Sequence, residues 1–169
     1  ASLKSRVTSM LKGLIEVVIP ARRVDFPWEL TQNCGREIAS DLQLRLEDDP
    51  GFTPRFPRDV LVRGAKNVSA TGDATFGPGV ALDGEAHMIR IEAGCRVEAG
   101  AVLAASAGPI WIDANACIMP GAIISGPAYI GPESIVRPGA RLNGSVALGP
   151  HCRVGGELGN VIMQGYSSK

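Results

Sequence analysis

Residues 112–154 read IDANACIMPGAIISGPAYIGPESIVRPGARLNGSVALGPHCRV, and every sixth residue from the first is Ile112, Ile118, Ile124, Ile130, Val136, Leu142, Leu148 and Val154. All are aliphatic. If about a quarter of positions were aliphatic by chance, such a run would arise on the order of once in 10⁵ trials, so composition does not explain it. Four residues after each come Ala116, Ala122, Ala128, Ser134, Ala140, Val146, Cys152 and Leu158, the first five of them small. Upstream, Ile91, Val97 and Leu103 keep the six-residue step, with Cys95, Ala101 and Ala107 in the small slot. The step from Leu103 to Ile112 is nine, which places a few extra residues near 104–109. Phe76 to Leu82 and Val62 to Val68 are weaker echoes of the same step.

A period of six is neither the 3.6 of a helix nor the alternation of a plain strand. It fits a very short strand followed by a corner. Pro120-Gly121 and Pro138-Gly139 set Pro before Gly, as a type II turn requires, and Pro132 and Pro150 fill the same Pro slot. Three strands and three corners make one 18-residue coil of a triangular prism, with the aliphatic residue inward and the small residue at the corner. Coils stack at the inter-strand spacing of about 4.8 Å. The columns predicted are Ile112, Ile130, Leu148 and Tyr166; Ile118, Val136 and Val154; and Ile124, Leu142 and Asn160. Asn160 is out of character in an aliphatic column, which favours a slip of register that turns Val161 or Ile162 inward. From Val62 to Tyr166 the spacing predicts about six coils, about 28 Å tall. A solenoid needs its ends capped, and nothing resembling a cap follows Tyr166; the reading is a β-helix that continues past Lys169.

Composition agrees. Gly (21) and Pro (12) are abundant but lack a three-residue period, which excludes collagen, and aromatics are only 5%. Lys+Arg and Asp+Glu balance at 17 each, against a general nucleic-acid or membrane-surface binder. Cys34, Cys95, Cys117 and Cys152 are widely spaced and include no CxxC pair, so reduced thiols in a cytoplasmic protein are expected, with Cys95 and Cys152 as small packing residues. No stretch is long and apolar enough for a membrane helix.

Residues 1–57 lack the period. Ser2 to Leu14 reads as a short helix with Leu3, Val7, Met10 and Leu14 on one face. A second helix opens at Phe26-Pro27-Trp28-Glu29-Leu30 and runs to about Leu46, with Leu30, Cys34, Ile38 and Leu42 inward. Asp48-Asp49-Pro50-Gly51 ends it, and Pro54 and Pro57 make a linker. The chain thus divides into a helical segment and linker (1–57), packed on the solenoid flank or joined to a preceding domain, and a β-helix (58–169).

The repeat resembles the left-handed parallel β-helix of hexapeptide acyltransferases, and the resemblance implies the left hand, against the usual right-handed crossover. Ile130-Gly131-Pro132-Glu133-Ser134-Ile135-Val136-Arg137-Pro138-Gly139-Ala140-Arg141-Leu142 is similar to a stretch of the bifunctional UDP-N-acetylglucosamine pyrophosphorylase/glucosamine-1-phosphate N-acetyltransferase family, in which the Arg before Pro-Gly holds the sugar phosphate. Here that residue is Arg137. Leu148 to Glu157 and Gly165-Tyr166-Ser167-Ser168-Lys169 look like related sugar-1-phosphate nucleotidyltransferases. Pro27-Trp28-Glu29-Leu30 with Asn33 resembles the Pro-Trp-Asp-Leu segment that leads such proteins into their helix. This sequence departs from the family in lacking the Gly-rich nucleotide loop, in carrying one extra hexapeptide between its Arg-Pro-Gly and Val-Gly stretches, and in having no Lys shortly after Val-Gly and no His after the Ser-Lys pair.

The fold class expected is therefore all-β, a left-handed β-helix with a short N-terminal helical segment. The resemblance implies a homotrimer that binds sugar phosphate, or acetyl-CoA or another acyl-CoA as co-substrate, between its subunits. The alternative is a non-catalytic trimerisation scaffold. Arg137, Tyr166 and Lys169 are the candidate substrate contacts. Acyl transfer needs a base, and of the two histidines His151 follows a corner Pro and points outward, whereas His87 lies in an irregular stretch. The two cannot supply the three-His zinc site known on this fold, and no metal is expected. Arg22, Arg23, Arg55, Arg58, Arg63 and Lys66 read as solvated or as contacts to another domain.

Overall fold

The computed structural model describes residues 23–52 and 54–169. The helix expected over Ser2 to Leu14 lies outside them. Among the described residues one α-helix, α1 (Trp28–Asp48), is followed by short strands, a single 3-10 turn (Ala65–Asn67) and corners. The strands are β1 (Leu61–Arg63), β2 (Val68–Ala70), β3 (Thr75–Phe76), β4 (Ala81–Asp83), β5 (Ile89–Ile91), β6 (Arg96–Val97), β7 (Val102–Ala104), β8 (Ile110–Ile112), β9 (Cys117–Ile118), β10 (Ile123–Ser125), β11 (Ala128–Ile130), β12 (Ile135–Val136), β13 (Arg141–Leu148), β14 (Arg153–Val154) and β15 (Glu157–Met163).

Every strand pairs in parallel with the strand one coil away, giving a left-handed β-helix of about five turns. The first face stacks β1, β4, β7, β10 and the start of β13; the second stacks β2, β5, β8, β11 and the end of β13; the third stacks β3, β6, β9, β12 and β14. β15 adds a rung to the first two faces by pairing along β13, and an isolated Arg153–Ser168 bridge begins a rung on the third. The sixth coil is thus incomplete, one fewer full turn than the spacing predicts.

The inward columns are those the period dictates. Ile118, Val136 and Val154 stack in register and are fully buried, as are Ile112, Ile130 and Leu148. The small residues Ala116, Ala122, Ala128, Ser134 and Ala140 are also 0% exposed, because the corner turns the chain across the axis where a larger group would collide. One column ends differently from expectation, and the other slips register as Asn160 favoured. Met163, not Tyr166, stacks on Leu148, and Leu158, not Asn160, stacks on Leu142. The coil shortens between Asn143 and Val146, where the register shifts, so Asn160 turns out at φ 50 and Val161 moves against the core. Coils are longer upstream: Ile91 pairs with Ile112, 21 residues on, and Ile112 with Ile130, 18 on. The extra residues fall at 105–109, as the nine-residue step implies, and they leave Ala107 exposed while Ala105 is buried instead.

The third corner carries Gly121 and Gly139 at φ 69 and 66, the left-handed value that Pro-Gly turns supply without a Cβ penalty. The bottom is closed by Phe52, whose carbonyl accepts the Ala70 N–H in an antiparallel bridge, and by the edge-to-face pair Phe56 and Phe76 at 5.2 Å.

α1 lies along the second face. Its start is set by Glu29, whose carboxylate accepts the Asp25 N–H across the first turn. Cys34, Ile38 and Leu42 are buried as expected. Leu30 is not: it is 52% exposed, because it stands on the rim of a groove rather than beneath the helix. At the far end, Arg90 of β5 points outward yet is 0% exposed, since the helix end and the turn after it cover it. Its guanidinium donates to Glu92 Oε1 and Oε2 (both 3.1 Å) and to Asp49 Oδ2 (2.8 Å). Arg45 of α1 closes the ring by donating to Glu92 at 3.1 Å.

Candidate functional site

The four residues singled out from the sequence all border the upper part of the third face, in two groups. The first group stands at the corner entering that face. Here Asn115, Glu133, His151 and Tyr166 occupy one corner in successive coils, and all four are left-handed, at φ 59, 57, 55 and 61. The turn repeated at this corner explains the geometry, with Pro before two of the four residues and Ala114 and Gly165 before the others. Pro132 and Pro150 hold the first turn position, and the next residue must take positive φ whether or not it is Gly. The backbone repeat then stacks the side chains. The His151 ring lies on the Tyr166 ring at 4.8 Å and 22°, and its Nδ1 is 3.4 Å from Glu133 Oε2. A carboxylate at Nδ1 orients the imidazole and leaves Nε2 available as a proton acceptor. Tyr166 is 79% exposed, so it is a surface residue rather than the cap of an inward column.

The second group stands at the corner leaving that face. The Arg137 N–H donates to the Val154 carbonyl, and the Gly155 N–H donates to the Lys169 carbonyl, so Arg137, Gly155 and Lys169 form one column. Gly155 has a steric role: a Cβ there would lie 3.2 Å from Arg137 Cδ, so its absence lets the Arg137 side chain run over it toward Lys169. Between the two corners, Arg153 projects from β14 beside Ile135. Arg137, Arg153 and Lys169 are all exposed, and among the described residues no carboxylate pairs with any of them. Spacing singled out Arg137 and Lys169 only through resemblance. Arg153 and Glu133 were missed, although each lies one coil of 18 residues from an outward position of known direction, Ile135 and His151.

His87 is an exposed loop residue whose Nδ1 lies 3.0 Å from the Ala105 carbonyl. Arg63 pairs with Asp83 and Glu85 on the first face. All four cysteines are free and buried. Burial pushes the Cys95 thiol up to about 12, and its Sγ donates to the Asp113 carbonyl at 3.0 Å, which is the behaviour of a packing residue, not a nucleophile.

A concavity lies on the second face, between α1 and the prism. It encloses about 690 Å³, and its floor is the outward column Trp111, Tyr129, Ala147 and Ile162. Trp111 and Tyr129 meet edge to face at 5.0 Å, and Tyr129 donates its hydroxyl to Asp113 Oδ2 at 2.8 Å. The sequence held a signal for this floor: Tyr129 follows Trp111 by one coil, at an outward position. No described helix is long and apolar enough to cross a membrane. In comparisons with known proteins, no family model and no curated protein matches the chain.

Proposed function

We propose that the chain is the β-helix portion of a sugar-nucleotide biosynthesis enzyme of the sugar-1-phosphate nucleotidyltransferase/acetyltransferase type. The upper third face binds a sugar phosphate or an acyl-CoA, in a cleft completed by a neighbouring copy in a homotrimer. One observation carries this reading: Arg137, Arg153 and Lys169 converge on one face without carboxylate partners among the described residues. Three unneutralised cations on three successive coils are a phosphate-binding arrangement, since charge-assisted bonds to phosphate outweigh the cost of gathering like charges. His151, oriented by Glu133 and stacked on Tyr166, stands across the same face as the base for an acyl acceptor.

The test is titration with glucosamine-1-phosphate and with acetyl-CoA. Arg137→Ala weakens binding about tenfold or more, as loss of a charged hydrogen bond requires. Absence of binding of either ligand at millimolar concentration sinks the ligand reading.

A second reading, a trimerisation scaffold without catalysis, draws on the other outward surfaces. At mid-height the first face presents Val102 and Ile123, and the third presents Cys117 and Ile135, all partly or wholly buried aliphatic or thiol groups in a regular, flat array. Above and below, both faces carry charge: Asp83, Arg141 and Glu157 on the first, Arg96 and Arg153 on the third. Faces with apolar bands at one height and charges at the ends suit mutual packing. A trimer that binds neither ligand, with or without Arg137, favours the scaffold.

A further inference from the structure

The groove beneath α1 plays no part in the function proposed above, and its chemistry is different. Where the third face gathers cations, this groove gathers carboxylates and aromatic rings. Asp113 accepts the Tyr129 hydroxyl from the prism side. From the helix side the charge of Asp41 reaches the same phenol; burial first, then the bond to Asp113, then these charges hold its pKa well above the usual tyrosine range. Among the described residues Asp41, which lines the groove, has no ion-pair partner, and no Lys or Arg lines it; Asp113 stands behind the lining, its Oδ2 taken by the Tyr129 hydroxyl and its Oδ1 by the Ala114 N–H. The Trp111 and Tyr129 rings add the negative potential of their π faces to that of the carboxylates. Toward the other end the floor becomes aliphatic, with Ala147 and Ile162, and the wall is Leu30 and Cys34.

An apolar cavity with unanswered negative charge at one end discriminates by charge. A neutral hydrocarbon would leave the carboxylates facing a drier medium, and an anion would be repelled. We propose that this groove binds an organic ammonium ion, with the positive charge held by Asp41 over the Trp111 and Tyr129 rings and an apolar frame lying along Ala147 and Ile162. The volume admits a frame of about ten carbons.

The experiment uses Trp28→Phe protein, in which Trp111 is the remaining tryptophan, and follows its fluorescence. The probes are phenethyltrimethylammonium, its neutral isostere with carbon in place of nitrogen, and 4-phenylbutyrate. Asp41 is exposed and makes no hydrogen bond, so Asp41→Asn leaves the fold intact while removing the unpaired carboxylate that lines the groove. The expected result is saturable quenching by the ammonium, affinity at least about tenfold weaker for the isostere, none for the anion, and about a fivefold loss for the ammonium alone in Asp41→Asn. Equal affinity for ammonium and isostere, indifference to Asp41→Asn, or no saturable response up to about 10 mM each overturns the proposal.

Discussion

The corner entering the third face shows how a single backbone angle places chemistry. Glu133, His151 and Tyr166 are each forced to positive φ by the turn they occupy, a conformation that costs a non-glycine residue about 1–2 kcal/mol. Stacked coils then bring carboxylate, imidazole and phenol together although they are far apart in sequence. The opposite corner uses glycine for the same angle, and a Cβ at Gly139 meets nothing within 4 Å. Gly139→Ala therefore loses only the backbone term, about 1–2 kcal/mol. Ile130→Ala, which empties a fully buried position, loses about 2–5 kcal/mol. Urea denaturation of the two variants measures the difference, and an equal loss would contradict the assignment of one residue to the corner and the other to the core. At this scale the sequence was readable wherever side chains point inward, since only aliphatic and small residues fit the axis. It was misleading at Tyr166, where the last coil is shorter than the period, whereas Asn160 correctly signalled the slip of register.

At the scale of the element, α1 is held to the prism by the ring Arg45–Glu92–Arg90–Asp49. Arg90 is fully buried, so removing a partner leaves an uncompensated charge. Glu92→Gln is expected to destabilise by about 3 kcal/mol, whereas Arg90→Met with Glu92→Leu recovers most of the loss, because an apolar pair needs no neutralisation. A double-mutant cycle by denaturation checks both statements. The clasp also has a pH signature. The Gly51 N–H first, and then Arg90, hold the Asp49 carboxyl below its ordinary 3.8. A group whose pKa falls on folding contributes fully above its unfolded value and loses that contribution as pH drops through its folded one. The clasp is thus intact at neutral pH and loosens in strong acid, below about pH 4. Acid titration monitored by Trp111 fluorescence in the Trp28→Phe background shows this transition, and Asp49→Asn removes its share of it. The helix itself was legible from its apolar stripe and its Asp-Pro-Gly stop. Its clasp was not, because Arg90 occupies an outward position that reads as solvent until the helix end is laid over it.

At the scale of the molecule, the three faces have two characters. The second is covered by α1 and holds the groove; among the described residues nothing covers the first and third, which carry apolar bands at mid-height and charges at the ends. The expected assembly is a trimer through those two faces. Ile135→Arg, which sets a cation in the band of the third face, is expected to convert it to monomer in sedimentation measurements while the coil structure seen by circular dichroism persists. A wild-type monomer at micromolar concentration removes the shared cleft from the proposed function.

The six-residue period alone determined the prism, its inward columns and the place of its insertion, because each rung repeats one local rule of short strand, tight corner and fixed side-chain direction. That rule is written within a few residues and needs no distant partner. Tertiary structure alone decided what the outward positions do. Whether an outward residue meets water, another coil or a helix depends on segments tens of residues away. Only stacking could set His151 against Glu133 and Tyr166, bury Arg90 under the end of α1, and line a groove with Trp111, Tyr129 and the unpaired Asp41 carboxylate.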